Sequence, residues 1–211
     1  MAASSLTRFT VPLQGGGASA QGLLMPKLKY RFRVAFLNFG ISQIATELTK
    51  QIVDFARPTV DFEEQTIDIY NSKIKYAGKP TWGDCAINLR DDAQGNVSKL
   101  IGEQVQKQFD FMEQSSAASG IDYKFTTTCE MLDGGNGAYA PNILEEWQLY
   151  GCYIKSVNYN DANYGDNGPM TITVTLGFDN ALQYGAGGSG SGTNTGIGQA
   201  VGRTIGAVTT G

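Results

Sequence analysis

Residues 170–178 read MTITVTLGF, with an apolar side chain at every even position and threonine or glycine between them. This two-residue period is typical of a β-strand with one buried face, because successive side chains of a strand point to opposite sides. The other face, formed by Thr171, Thr173 and Thr175, carries no charge. The segment therefore predicts a strand that packs on a core and presents a neutral, hydroxyl-bearing surface.

The same period recurs along the chain. Residues 121–131 alternate in this way, and the turn-forming run at 133–137 predicts a hairpin whose return strand spans about 146–157. Further strands are expected at about 59–70 and 84–91, and residues 46–55 are interpreted as a strand that ends before Arg57–Pro58. In residues 27–36, apolar side chains alternate with a basic row: Lys27, Lys29, Arg31 and Arg33.

One segment has the period of a helix. After Gly95, Asn96 can cap a helix whose apolar residues recur every three to four positions. That predicted buried face consists of Val97, Ile101, Val105, Phe109 and Met112. The expected fold is mainly β: an antiparallel β-barrel or sandwich with one packed α-helix and extended N- and C-terminal arms.

The two arms differ from the domain between them in composition. Residues 1–25 hold a single charge, Arg8, and residues 185–211 are rich in glycine, with Arg203 as their only charge. Such segments cannot bury enough apolar surface to fold alone. We expect an N-terminal arm at 1–25, a β-domain at 26–184 and a C-terminal arm at 185–211. Ile197, Val201 and Ile205 give the C-terminal arm a weak apolar stripe.

The composition excludes several kinds of chemistry. The chain contains 0 histidines, which removes Ser-His-Asp and Cys-His catalysis and His-ligated zinc. The GxGxxG pattern at 185–190 has no helix after it to receive a phosphate, and the acidic loop at 161–167 lacks the spacing of a calcium loop. We expect no enzyme activity, no cofactor and no metal.

The overall charge and hydropathy bear on partners. A net charge of -4 argues against a general phosphate-binding surface. No run of eighteen apolar residues predicts a membrane span, and residues 1–22 do not resemble a secretory signal. The chain is therefore expected in the cytoplasm when it is made, without a membrane partner.

The cysteines leave two alternatives open. Cys85, Cys129 and Cys152 cannot all pair within one chain, and their spacing matches no metal or redox motif. They are either buried thiols that act as small apolar side chains or a crosslink between identical subunits.

Taken in order, these elements resemble the tube proteins of contractile phage tails of the T4-like type, which are akin to the Hcp tube of type VI secretion. The resemblance covers roughly residues 27–184. It rests on the opening strand at 29–39, the segments 55–58 and 71–82, the strand at 85–89 with Arg90-Asp91-Asp92 after it, the helix from Val97, the segment 146–152 and the strand at 171–178.

The resemblance implies a homohexameric ring that stacks into a hollow conduit for DNA inside a contractile sheath, in a virion tail assembled in the host cytoplasm. Its partners would be further copies of the chain, the sheath protein, baseplate or tube-initiator and terminator proteins, and double-stranded DNA in transit. A conduit for a polyanion needs a neutral or acidic lining, since basic side chains would hold phosphates. The candidates for that lining are Asp68, Thr171, Thr173 and Thr175.

Contacts between subunits are assigned to other residues. The candidates are the basic row Lys27, Lys29, Arg31 and Arg33, the arm residues Ile197, Val201 and Ile205, and a bridge through Cys85, Cys129 or Cys152 if one forms. The basic row has two other interpretations, a solvated strand face or a DNA contact.

Two other functions compete with a phage tail tube. The first is the tube of a type VI or extracellular contractile injection system, which shares the fold and the ring. The second is a soluble β-domain that serves as a virion adhesin or baseplate component. The adhesin interpretation predicts exposed aromatic side chains in loops, such as Tyr159, Tyr164 and Trp82.

Overall fold

The structure is a computed structural model that describes residues 26–41, 46–134 and 141–185. Its strands are β1 Phe32–Leu37, β2 Ile52–Phe55, β3 Val60–Ile69, β4 Ser72–Trp82, β5 Cys85–Arg90, β6 Phe109–Asp110, β7 Ser115–Ser116, β8 Phe125–Leu132, β9 Ile143–Asn158, β10 Thr171–Gly177 and β11 Asn180–Gly185. Its helices are α1 Thr46–Gln51, α2 Asn96–Gln108 and α3 Gly120–Tyr123. The expected mainly-β class is confirmed, and the described residues contain three helices where one was predicted.

The principal sheet is antiparallel throughout and runs in the order β1-β8-β9-β10-β5-β2, while β11 also pairs with β9. Strand β9 is long enough to pair with β8 and β11 along its first part and with β10 along its last part. The two ends of this path meet, because the rings of Phe32 on β1 and Phe55 on β2 lie 5.3 Å apart. The sheet therefore folds back on itself around one core.

That core contains the inward residues of the alternating strands. On β10, Ile172, Val174 and Leu176 are buried and the threonines between them are partly exposed, as the sequence predicts. Helix α2 covers one side of the core with the buried residues Val97, Leu100, Ile101 and Gln104.

The predicted buried face of the helix is wrong at its C-terminal end. Helix α2 ends at Gln108, Phe109 begins the short strand β6, and the Met112 side chain is 93% exposed. The predicted cap is also wrong, because Gly95 occupies the cap position and the carboxylate of Asp92 accepts the Val97 N–H at 3.0 Å. Hydrogen bonds to the ionised carboxylate lower the pKa of Asp92 below its ordinary value, and the bond from the Val97 N–H has the largest effect.

Two glutamines of α2 fasten neighbouring segments through their side-chain amides. Gln104 is fully buried, accepts the Gly40 N–H at 3.0 Å and donates to the Tyr123 carbonyl at 2.6 Å. One turn later, Gln108 accepts from the Ile154 N–H at 2.7 Å and donates to the Ile154 carbonyl at 3.0 Å. Each amide therefore pairs with a backbone N–H and a backbone carbonyl of neighbouring segments, and in this way its own polar atoms are satisfied, as buried polar groups require.

Two predicted strands need correction, and two of the longer observed strands were not predicted. Residues 46–51 form helix α1, and only 52–55 form a strand. Residues 120–123 form α3 because Ser119 and Asp122 make a capping box, so β8 starts at Phe125. Residues 72–82 form β4, which the sequence interpretation missed, and β11 follows the strand that we took as the last.

The basic row does not begin as a strand. Among residues 26–31, Lys29 and Tyr30 form a turn, closed by the Arg31 N–H to the Leu28 carbonyl at 3.2 Å. Only Arg33 of the row lies on β1. The prediction of a single strand carrying all four basic residues is therefore wrong.

Gly151 within β9 offers a first test. Its φ is +67°, and a Cβ added there would stand 2.2 Å from Oδ2 of Asp179, which Lys124 already binds at 2.6 Å. We expect Gly151→Ala to lower the free energy of unfolding by about 2 kcal/mol or more, since left-handed backbone and a clash with a fixed carboxylate both oppose it. Equilibrium denaturation measures the change.

Gly102 is the matched control for this substitution. It lies within α2 and an added Cβ would meet nothing within 4 Å. We expect Gly102→Ala to raise the free energy of unfolding by about 0.5–1 kcal/mol, because alanine is the better helix former. Equal effects at the two positions would contradict this account of Gly151.

Candidate interaction surfaces

The threonine face is the outward side of strands β5, β10 and the end of β9. Thr173 lies opposite Asn88 on one side and Asn158 on the other, and Thr175 lies between Ala86 and Ser156. We define the threonine face by these residues: Thr171, Thr173, Thr175, Asn88, Ser156 and Asn158. It is a polar surface of hydroxyl and amide groups.

Hydrogen bonds hold this face in place. The Thr173 hydroxyl donates to Oδ1 of Asn88 at 2.7 Å, and the Asn88 amide donates to Asp54 at 2.8 Å. The Asn160 amide donates to the Thr171 carbonyl at 2.8 Å. The charges that border the face in the strand register are Asp54, Arg90 and Lys155, and Lys155 pairs with Asp84 at 2.5 Å.

Asp68 does not lie with the threonines. It belongs to the separate two-stranded sheet of β3 and β4, where it pairs with Lys73 at 3.1 Å. The structure therefore brings three of the four lining candidates together and places the fourth on another element.

Arg33 has a partner within its own chain. Its Nε donates to Oε2 of Glu130 at 2.6 Å, across the pair of strands β1 and β8. This hydrogen bond raises the pKa of the Arg33 guanidinium, and it neutralises a glutamate that is largely buried. Arg33 therefore has a structural role within its own chain. A contact between the basic row and another subunit remains a proposal.

The three cysteine thiols are buried in the core. The Cys85 Sγ donates to the Ala56 carbonyl at 2.8 Å, and the Cys152 Sγ donates to the Leu149 carbonyl at 3.3 Å. Burial raises the pKa of Cys85 to about 12 and also raises the pKa of Cys129 and Cys152. These positions favour the buried-thiol alternative over a crosslink between subunits.

We expect these thiols to be inert in the native protein. A chromogenic disulfide reagent at pH 8 should label none of the three until denaturant is added, and a non-reducing denaturing gel should show a monomer band. Because the unfolded chain ionises its thiols at lower pH than the folded core does, the free energy of unfolding should fall as the pH rises above about 9. Cys85→Ala should flatten that fall, and a reducible ladder of bands would contradict the expectation.

The β3–β4 hairpin is the surface that the sequence interpretation missed. Nearly all of its residues are exposed, and the apolar ones include Val60, Phe62, Ile67, Ile69, Ile74 and Tyr76. Its base is tied to the domain, because the Gly83 N–H donates to the Thr59 carbonyl at 2.9 Å and the Trp82 ring packs 5.8 Å from Phe178. The signal was present in the sequence as two alternating runs on either side of Tyr70–Asn71, a turn whose first residue has a φ of 40°.

A second exposed apolar group follows α2. The rings of Phe109 and Phe111 contact each other at 5.3 Å, and Phe111, Met112 and Ile121 are exposed. The adhesin interpretation predicts exposed aromatic side chains, and the three candidates differ in exposure. Tyr159 and Tyr164 are exposed, whereas Trp82 packs against the core. Tyr164 borders an open depression of about 620 Å³ formed by residues 160–171.

Two predicted regions lie outside the described residues: residues 1–25, and the part of the C-terminal arm that holds Ile197, Val201 and Ile205. Within the described part of the chain, no helix is long and apolar enough to cross a membrane. No group of three or more acidic or thiol side chains among those residues is placed to hold a metal ion.

Comparison with known proteins shows which solved structures share this fold. No protein-family model matches the chain, and no curated protein sequence matches it. Solved structures do: a chain of the tube-terminating cap of the anti-feeding prophage aligns over 79% of this chain and 95% of its own, with a TM-score of 0.56 and 14% identity.

Two chains of the extracellular contractile injection system PVC align as well. One, from the sheath/tube terminator, covers 77% of this chain and 99% of its own, with a TM-score of 0.55 and 13% identity. The other, from the sheath–tube complex, covers 76% and 93%, with a TM-score of 0.51 and 14% identity. At the level of the fold, the resemblance to the tube proteins of contractile systems is confirmed.

Proposed function

We propose that this chain is a structural subunit of the tube of a contractile device, without catalytic activity. Six copies form a ring, and rings stack into a hollow tube inside a contractile sheath. In the form that we favour, the device is a phage tail and the tube conducts double-stranded DNA. The partners are other copies of the chain, the sheath protein, and the baseplate and terminator proteins at the two ends.

The observation that carries this proposal is the β3–β4 hairpin. It consists of two strands of ten and eleven residues, on which six apolar side chains stay 39% to 59% exposed within the described chain. A two-stranded ribbon of this kind is marginal in water unless its apolar face packs on something else. Repeated copies of the same fold would supply that cover, and the similar solved structures come from a tube-terminating cap and a sheath–tube complex.

The threonine face supports a role as the wall of a conduit. Its hydroxyl and amide groups can be hydrated without attracting phosphates, whereas a row of lysines would release counterions and arrest DNA. We propose that Thr171, Thr173 and Thr175 line the lumen. Asp68 would reach the same lumen only from the hairpin, where Lys73 balances its charge.

The C-terminal arm, expected at residues 185–211, would serve assembly rather than the fold of the subunit. Its first residue, Gly185, still belongs to β11 and pairs with Glu145 on β9. We propose that Ile197, Val201 and Ile205 contact a neighbouring subunit, as the basic row Lys27, Lys29, Arg31 and Arg33 would on another side.

A second candidate function is the tube, or the tube terminator, of an extracellular injection system. The observation in its favour is that the printed names of the similar structures are those of the anti-feeding prophage and of PVC. The two candidates differ in cargo. Nuclease-protected DNA in purified particles would favour the phage tail, and protein cargo without DNA would favour the injection system.

Negative-stain electron microscopy of the purified full chain tests the shared part of the proposal. We expect rings or tubes about a hundred ångströms across, the size that six domains of this length would give. Monomers at all concentrations would contradict it and favour the soluble adhesin.

A further inference from the structure

Residues 109–123 join α2 to β8 and expose a group of large apolar side chains; we call them the α2–β8 connection. The Phe111, Met112 and Ile121 side chains are 64%, 93% and 88% exposed within the described chain. The ring of Phe109 lies beside that of Phe111, at 5.3 Å. Single apolar side chains are ordinary on a protein surface, but several in one short segment indicate a contact surface.

Hydrogen bonds give the α2–β8 connection a defined shape. Oδ1 of Asp110 accepts the N–H groups of Met112 at 2.9 Å and of Glu113 at 3.3 Å, which closes the turn that carries the exposed methionine. The capping box of Ser119 and Asp122 fixes the helical turn α3, to which Ile121 belongs. The exposed apolar side chains are therefore presented by an ordered backbone.

The charges of the connection indicate what kind of partner covers it. Its three charged residues are all acidic: Asp110, Glu113 and Asp122. No lysine or arginine among the described residues forms an ion pair with any of them, and Lys124, which follows the connection, is bound to Asp179 at 2.6 Å. The surface therefore fits a segment that is apolar and carries positive charge.

The C-terminal arm of the chain has this composition. Ile197, Val201 and Ile205 recur every four residues, and Arg203 between them is the only charge of residues 186–211. Residues 186–196, which precede them, are small or polar and span up to about 40 Å when extended. The N-terminal arm also has a single arginine, but its apolar residues show no such period, and we therefore favour the C-terminal arm as the occupant.

The C-terminal arm leaves the domain at the end of the sheet that is remote from the connection. Phe125, directly after the connection, pairs with Cys152, whereas Gly185 pairs with Glu145, whose partner on β8 is Met131. Positions 125 and 131 of a strand lie about 20 Å apart. Because the arm and the connection are at opposite ends, identical copies can join them head to tail, and such contacts build rings or open stacks.

We propose that residues 197–208 of one copy bind the α2–β8 connection of a neighbouring copy. The apolar side chains of the arm contact Phe111, Met112 and Ile121, and Arg203 lies beside Glu113. This inference rests on the proposed function, because it requires an assembly of the chain. Each copy that is added would then provide the docking surface for the arm of another.

A photo-crosslinking amino acid at position 112 of the full chain tests this contact. Assembled material is prepared from a mixture of isotopically light and heavy chains, and crosslinked peptides are identified by mass spectrometry. We expect crosslinks from position 112 to residues 197–208, with pairs of one light and one heavy peptide among them. Position 164, where Tyr164 is fully exposed in the loop before β10, is the control and should not reach the arm.

Three results at position 112 would overturn the inference. They are crosslinks to the N-terminal arm or to any other surface in place of residues 197–208, crosslinks to residues 197–208 within one chain only, and the absence of crosslinks from assembled material.

Charge reversal gives an independent readout. Glu113→Arg and Arg203→Glu should each raise the concentration needed for half-assembly about threefold or more in sedimentation experiments, because each places like charges in contact. The double variant should return to within about twofold of the wild type. Asp161→Arg, at an exposed acidic residue of the loop before β10, is the matched control and should not rescue Arg203→Glu. A double variant that assembles no better than the single variants would contradict the pairing.

The behaviour of the wild type separates the two proposals. A wild-type chain that stays monomeric at all concentrations overturns the proposed function and this inference together. A wild-type chain that assembles, without crosslinks from position 112 to residues 197–208 of another copy, overturns the inference alone.

Discussion

A chain in which residues 62–80 are replaced by Asn-Gly is expected to remain folded and to lose assembly. The replacement keeps Val60 opposite Trp82 and Asp61 opposite Thr81, so the shortened ribbon ends in a two-residue turn of the type that hairpins prefer. We expect a melting temperature within a few degrees of the wild type and a rise of at least a hundredfold in the concentration needed for half-assembly.

The folded state should tolerate this deletion because the hairpin contributes little to the core. Strands β3 and β4 form a sheet of their own, and the removed residues are almost all exposed. The contacts that anchor the ribbon are retained, since Trp82 still packs on Phe178 and Gly83 still donates to the Thr59 carbonyl. Assembly should suffer because the deletion removes every exposed large apolar side chain of the hairpin except Val60.

A tip variant is the matched control for the deletion. Replacing Tyr70–Asn71 with Asn-Gly changes only the turn, where Tyr70 has a φ of 40° and is fully exposed. It keeps the apolar side chains of the two strands: Val60, Phe62, Ile67, Ile69, Ile74 and Tyr76. This variant should assemble like the wild type in the same sedimentation and microscopy experiments. An assembling deletion variant, or a deletion variant that is unfolded by circular dichroism, would contradict the role that we give to the hairpin.

The sequence predicted the fold best where one face of a strand is buried. The alternation in β10 and in residues 125–131, the later part of the predicted strand at 121–131, is confirmed, because a one-residue shift would turn Ile172 or Phe125 out of the core. In residues 27–31 and 121–123, alternation alone predicted strand where the structure has none. At the start of β1, Phe32 pairs with Met131, and β8 ends one residue later, at Leu132, so β8 offers no pairing partner beyond that point.

Strand β4, and with it the hairpin, was missed although residues 72–77 alternate. Gly78 and Pro80 interrupt that alternation and oppose a strand. Pairing with β3, which the sequence did predict as a strand at about 59–70, continues β4 through these two residues. The same holds for the candidate surfaces: the sequence identified the neutral threonines, but only the register shows that Asn88 and Asn158 flank Thr173.

Phe125→Ala is expected to cost the most stability of any single substitution considered for this chain. The Phe125 side chain is 2% exposed, its ring meets Phe39 edge-on at 4.8 Å and Phe36 at 6.3 Å, and it begins β8 immediately after α3. Its truncation would leave a cavity bordered by these rings, and such substitutions typically lower the free energy of unfolding by about 3–5 kcal/mol. That is a large fraction of the total for a domain of ordinary stability.

Phe111→Ala is the control of equal chemistry. The Phe111 side chain is 64% exposed, and its one aromatic contact among the described residues is with Phe109. We expect this substitution to change the free energy of unfolding by no more than about 0.5 kcal/mol. Urea denaturation followed by circular dichroism measures both variants at a concentration below that of assembly. Comparable losses would mean that Phe125 is not in the core and that the packing of β8 on β1 is wrong. A large difference between the two variants would indicate that the buried residues carry the stability of the fold. The exposed aromatic residues would then be available for contacts with other molecules.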